Sequence, residues 1–125
     1  MKDGKYVVLC VDDDADFLES TSIFLSANGY LVETAPSAED GLKKYKAANP
    51  DLVIVDLMME EVDAGTNLAR ELKLLNNRAP VYMLSSIGDQ LNMSVDFTAL
   101  GLRGVFQKPL DTRNVLATIR SALGQ

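Results

Sequence analysis

The chain has 125 residues, enough for one domain with its own core and no need of disulfide or metal staples. Hydrophobic residues make up 47% and charged residues 24%, the ordinary balance of a globular domain. Twelve basic against eighteen acidic residues give a net charge of −6, which disfavours direct binding to nucleic acid or to an anionic membrane and suits a pocket that gathers carboxylates around a cation.

The chain carries one cysteine, Cys10, so an intrachain disulfide is excluded and a reducing, cytoplasmic setting is expected. Histidine is absent, which leaves carboxylates, hydroxyls and lysine for any acid–base or metal chemistry. The first residues, Met1-Lys2-Asp3-Gly4-Lys5, lack the apolar core of a signal peptide, and no apolar run approaches a membrane span. No repeat, linker or low-complexity segment interrupts the chain.

In chain order, Tyr6-Val7-Val8-Leu9-Cys10-Val11 is a continuous apolar run of the kind a strand shows when both its faces are covered. It ends in Asp12-Asp13-Asp14. Asp14 is placed to cap the next helix, where a carboxylate meets free N–H groups; that role leaves Asp12 and Asp13 unexplained. Phe17, Leu18, Thr21, Phe24, Leu25 and Asn28 fall at helical spacing, and Gly29 ends the helix. Tyr30 to Ala35 reads as a more polar strand, nearer a sheet edge. Ser37 caps a second helix with Asp40 at the box position and Ala38, Gly41, Leu42 and Tyr45 inward; Lys43, Lys44 and Lys46 form its solvated face.

Asn49-Pro50-Asp51 turns the chain into Leu52-Val53-Ile54-Val55, a third buried strand that runs straight into Asp56. A loop from Glu60 to Gly65 follows, and a helix starts at Thr66 or Asn67 with Leu68, Ala69, Leu72 and Leu75 inward. Asn76 to Pro80 breaks it. Val81-Tyr82-Met83-Leu84 is a fourth strand ending in Ser85-Ser86. A weaker helix runs from Gly88-Asp89 to about Leu100 without one clean apolar face. Gly101 and Gly104 bracket a turn, Val105-Phe106-Gln107 forms a short fifth strand, and Lys108-Pro109-Leu110 follows. Asp111 caps a last helix that buries Val115, Leu116, Ile119 and Leu123.

Strands alternating with helices imply a parallel sheet with helices on both faces and right-handed crossovers. The economical fold is α/β: a flavodoxin-like doubly wound sheet of five parallel strands in the order 2-1-3-4-5, with five helices, spanning residues 1–125 as one domain. In that order the first and third strands are neighbours at the switch point, where ligands bind beyond the carboxyl ends. Asp12, Asp13, Asp56, Ser85 and Lys108 then converge on one crevice. Three clustered carboxylates cannot all stay ionised unless a cation joins them, and an all-oxygen donor set favours Mg²⁺ or Mn²⁺. A metal, a lysine and a free carboxylate describe a phosphoryl-transfer site in which a carboxylate becomes an acyl phosphate.

Val11-Asp12-Asp13-Asp14, Val55-Asp56-Leu57-Met58-Met59, Pro80 to Ser85 and Lys108-Pro109, in this order and spacing, closely resemble the receiver domain of two-component response regulators, in particular the chemotaxis type. The resemblance covers essentially the whole chain. It implies a phosphorylation-dependent signalling switch, not an enzyme beyond its own phosphorylation and dephosphorylation. Asp56 would accept the phosphoryl group from a histidine kinase or phosphotransfer protein. Asp13, Asp56 and the backbone carbonyl of Met58 would hold Mg²⁺, with Asp12 acting through a metal-bound water. Lys108 would pair with the phosphoryl group and Ser85 would move to hydrogen-bond it. The output would pass to a further domain or partner protein through the fourth helix, the fifth strand and the last helix.

The sequence departs from the family pattern in places. One extra residue between Ser85 and Lys108 opens Ser86 as the switch hydroxyl, although the run from Pro80 fits Ser85. Glu60 stands where proline is usual, and the loop up to Gly65 is one residue longer. Val105, not Phe106, falls at the usual aromatic switch position; alternation sends Phe106 to the opposite side, into the core, so an aromatic flip there is not expected. The resemblance implies that Met58 and Ile87, two residues past Asp56 and Ser85, flank the path of the hydrolytic water; neither side chain can orient it, so self-dephosphorylation is expected to be slow. Two other readings stay open: a degenerate receiver acting as an interaction module, and a haloacid-dehalogenase-like phosphatase with Asp12 as nucleophile and Asp14 as acid. Asp16 stands where the latter family carries Thr or Val, and the chain is short for it. The end at Gln125 fits both a stand-alone receiver and one cut from a longer regulator.

Overall fold

A computed structural model describes residues 2–56, 64–85 and 101–125, with the backbone alone for residues 64–66. Five strands, β1 (Val7–Val11), β2 (Leu31–Ala35), β3 (Leu52–Asp56), β4 (Val81–Ser85) and β5 (Leu102–Gln107), form one sheet in the order β2-β1-β3-β4-β5. All four pairings are parallel. The described helices are α1 (Ala15–Ala27), α2 (Ala38–Ala48), α3 (Ala64–Leu74) and α4 (Thr112–Ala122). This is the expected flavodoxin-like fold; the weak helix expected up to Leu100 lies outside the described residues, as do Met58, Ser86 and Ile87.

The apolar strands are covered on both faces because successive residues point to opposite sides. Leu9, Val11, Val53, Val55, Val81 and Met83 pack with Leu68, Ala69 and Leu72 of α3, and Ala38, Leu42 and Tyr45 of α2 close the layer. Val8, Cys10, Leu52, Ile54, Tyr82, Leu84 and Phe106 pack with Leu18 and Leu25 of α1 and with Val115 and Ile119 of α4. Each fully buried Val, Leu or Ile contributes about 1.5–3 kcal/mol. Phe106 therefore belongs to the core as expected, stacked on Tyr82 with ring centroids 4.9 Å apart, while Val105 is half-buried against the other layer. Asp14, Ser37 and Asp111 cap α1, α2 and α4, each accepting backbone N–H bonds in the first turn.

Three expectations are corrected. α3 begins at Ala64, ahead of Thr66 and Asn67, whose cap-like side chains had marked the start. Leu75 is exposed, because the helix ends at Leu74: the Leu75 N–H bonds both Glu71 and Leu72 carbonyls, and Asn76 adopts φ 58°. Gly104 lies inside β5, which starts at Leu102 and takes up one extra residue opposite Val81 and Tyr82. A Cβ at Gly104 would sit 3.2 Å from Tyr82 Cε1, so the glycine serves the approach of that ring.

Candidate functional site

The register of the sheet brings the carboxyl ends level. Val11 pairs with both Ala35 and Val55, and the Asp12 N–H still donates to the Ala35 carbonyl at 3.1 Å. Asp12, the residue that follows β1, thus continues the ladder by one bond and stands beside Asp56, the last residue of β3. Asp56 pairs with Leu84, and Ser85 with Gln107, which sets Lys108 just past the end of β5. The Lys108 N–H donates to the Ser85 carbonyl at 2.8 Å, so the lysine backbone is tied to the end of β4.

Asp12, Asp13 and Asp56 each offer a carboxylate oxygen within 4.8 Å of the others. Asp12 is 0% and Asp56 4% exposed, whereas Asp13, released from the ladder, faces solvent. Lys108 Nζ stands 2.7 Å from Asp12 Oδ2 and 3.4 Å from Asp56 Oδ2. The Asp12 contact is the shorter, yet among the described residues Asp12 Oδ2 has no partner at a hydrogen-bonding angle, and its contact with Lys108 is one of charge. Asp12 Oδ1 accepts the Asp14 N–H at 2.9 Å. Burial of the Lys108 ammonium lowers its pKa, but the contact with Asp12 and the fields of Asp56 and Asp12 outweigh this, and the net displacement is upward.

Of the expected site residues, Asp12, Asp13, Asp56 and Lys108 come together. Ser85 is 1% exposed at the neighbouring strand end. The Met58 carbonyl and the alternative hydroxyl of Ser86 lie outside the described residues. Phe17 was assigned to the helix core only, yet the Lys108 ammonium lies 4.5 Å from its ring centroid. The available signal was an aromatic at the third position of a helix that starts at the acidic cluster.

The donor set fits a metal ion. Three carboxylates stand against one lysine, and among the described residues the buried Oδ2 of Asp12 meets only the Lys108 ammonium, with no hydrogen bond at a good angle. Oxygen-only ligands suit a hard divalent cation such as Mg²⁺.

The family model for the response regulator receiver domain matches residues 8–120. The chain is 36% identical over 121 residues to a chemotaxis protein CheY of Treponema pallidum, covering 94% of this chain and 83% of that protein. It is 32% identical over 116 residues to the transcriptional regulatory protein CseB of Streptomyces coelicolor, of which it spans 48%. A crystal structure of a response regulator receiver domain protein from Clostridium thermocellum superposes with a TM-score of 0.85 at 26% identity, over 95% of this chain and 94% of that one. With the fold, the matched residues and these relatives agreeing, the chain belongs to the response regulator receiver domain family, a family of phosphorylation-based signalling modules.

Proposed function

We propose that residues 1–125 form one receiver domain that takes a phosphoryl group on Asp56 from a histidine kinase or phosphotransfer protein, and that this modification alters its binding to an output domain or partner protein. The observation that carries the reading is the Asp56 carboxylate: nearly buried at the end of β3, within 4.8 Å of two further carboxylates, and 3.4 Å from the Lys108 ammonium. An Asp56 oxygen attacks phosphorus, the bond from phosphorus to the donor's imidazole nitrogen breaks with its electron pair, and an acyl phosphate remains. Asp13, Asp56 and the Met58 carbonyl would hold Mg²⁺ or Mn²⁺, with Asp12 acting through a bound water; the ion would offset phosphoryl charge. Lys108 supplies the second positive pole and the Ser85 hydroxyl donates to a phosphoryl oxygen. Catalysis is limited to the chain's own phosphorylation and dephosphorylation.

The phosphatase reading with Asp12 as nucleophile finds less support. Asp12 is fully buried, one oxygen accepts the Asp14 N–H, and the other faces Lys108. Among the described residues no helix is long and apolar enough to cross a membrane, and the surplus of acidic residues disfavours a nucleic-acid partner for this domain; a cytoplasmic site of action is part of the proposal.

The test is incubation with acetyl phosphate and Mg²⁺ followed by mass spectrometry. Label on Asp56, lost in Asp56→Asn, is the expected result. Label on Asp12 selects the phosphatase reading, and no label selects the interaction module.

A further inference from the structure

The triplet Asp12-Asp13-Asp14 leads to a residue outside the acidic cluster. Asp12 Oδ1 accepts the Asp14 N–H at 2.9 Å, and Asp14 Oδ1 accepts the N–H groups of Asp16 at 3.0 Å and Phe17 at 3.2 Å. These bonds fix the first turn of α1 and with it the half-buried Phe17. The Phe17 ring lies 4.5 Å from the Lys108 ammonium, which in turn touches Asp12 at 2.7 Å. The contacts close a circuit: Asp12, Asp14, Phe17, Lys108 and back to Asp12.

An ammonium on a four-carbon stem has many rotamers, and this one has two carboxylates to choose between. An aromatic face attracts a cation through its quadrupole, and does so more strongly where water is excluded. The Lys108 side chain is only 20% exposed. We propose that Phe17 is a positioning residue for phosphoryl transfer: its ring holds the Lys108 ammonium over the gap between Asp12 and Asp56, so that the charge is in place when phosphorus arrives. The inference rests on Asp56 being the phosphate acceptor. It adds a requirement for an aromatic π face at position 17, distinct from a requirement for apolar bulk.

The experiment compares the native chain with Phe17→Leu, with Phe17→Trp and with a chain carrying pentafluorophenylalanine at position 17. The fluorinated ring keeps the shape and reverses the quadrupole, so it separates electrostatics from packing even where Phe17→Leu folds poorly. Acetyl phosphate is the donor: a bond forms between an Asp56 oxygen and phosphorus, the bond from phosphorus to the acetate oxygen breaks, and acetate leaves with the electron pair. At saturating Mg²⁺ the fluorinated and Leu chains should be labelled about three- to thirty-fold more slowly, and Phe17→Trp as fast as the native chain or faster. Mg²⁺ affinity by calorimetry should stay within about twofold, since Phe17 offers no metal ligand. In a Lys108→Met background the fluorinated ring should have no further effect.

A fluorinated chain labelled as fast as the native one overturns the inference, as does a rate loss that tracks lost Mg²⁺ affinity or persists without Lys108. If the native chain takes label on Asp56 and the Phe17 series is flat, this inference alone fails. If the native chain takes no label on Asp56, the receiver reading fails and takes this one with it.

Discussion

Asp13→Asn separates the stability of the fold from the purpose of the acidic cluster. Asp13 is exposed, and no hydrogen bond or ion pair is found for it among the described residues, yet an oxygen of Asp13 lies within 4.8 Å of Asp12 and Asp56. Two unit charges at that separation repel by roughly 0.9 kcal/mol in water. Asp13 faces two carboxylates; Lys108 and the ions of the buffer offset part of the repulsion. Neutralising it should stabilise the chain by about 0.5–1 kcal/mol when divalent ions are chelated, a rise of a few tenths molar in the urea midpoint. Mg²⁺ should reverse the order. An ion that binds only the folded state adds about 2.7 kcal/mol at one hundred times its dissociation constant, and the variant, short of a ligand, should gain much less. The assay is urea unfolding of both chains in EDTA and in a Mg²⁺ series. Two results defeat the reasoning: Asp13→Asn less stable than the native chain in EDTA, or Mg²⁺ stabilising both chains equally.

Other perturbations reach separate parts of the structure. Cys10 is fully buried, and burial, reinforced by the charge of Asp12, pushes its thiol up from 9.0 to about 12. The folded chain then keeps a proton that the unfolded chain loses above pH 9, so stability should fall as pH rises from about 9 to 12, by up to about 1.4 kcal/mol per unit. Replacing Cys10 by alanine should flatten that slope, and in the native chain the thiol should react with Ellman's reagent only as fast as the fold opens. In Gly41→Ala the new Cβ would meet Val11 Cγ2 at 2.9 Å and Leu68 Cδ2 at 3.1 Å; overpacking of about 1–3 kcal/mol exceeds the helix gain of about 1 kcal/mol, so thermal unfolding should show a net loss. Phosphorylated chain freed of donor should lose its label over minutes or longer, because Met58 and Ile87 offer no group to orient water; a lifetime of seconds would refute this.

β1, β3 and β4 were legible because burial on both faces writes itself as unbroken apolar runs. The same runs conceal which residue faces which layer, so the division of Leu9 and Val11 from Val8 and Cys10 needed the register. Helices with a carboxylate or hydroxyl cap were placed well at Asp14, Ser37 and Asp111. The start of α3 was not, because Thr66 and Asn67 look like caps and lie within its first turn. Leu75 kept the apolar period but fell past the end of the helix, and Gly104 signals a turn unless the Tyr82 ring beneath it is known. At the site, residue type and strand order sufficed to gather Asp12, Asp13, Asp56 and Lys108. They could not say that Asp12 is buried and Asp13 exposed, which depends on one further ladder bond to Ala35. Nor could they show Phe17 under Lys108, a contact between side chains 91 positions apart.

The charges at this site also bear on how modification could be transmitted. Three carboxylates against one ammonium leave a deficit of two positive charges, which is the charge of one divalent ion. Under the proposed chemistry Asp56 goes from one negative charge to nearly two, while Asp12 is unchanged. Lys108 now stands nearer Asp12, at 2.7 Å, than Asp56, at 3.4 Å. The added charge therefore acts against the shorter of its two contacts and favours the longer one. Any pull that the flexible side chain does not absorb falls on the lysine backbone, whose N–H is bonded to the Ser85 carbonyl at the junction of β4 and β5. A phosphoryl group on one carboxylate would thus be felt at two strand ends through a single lysine, without an aromatic at position 105 having to turn.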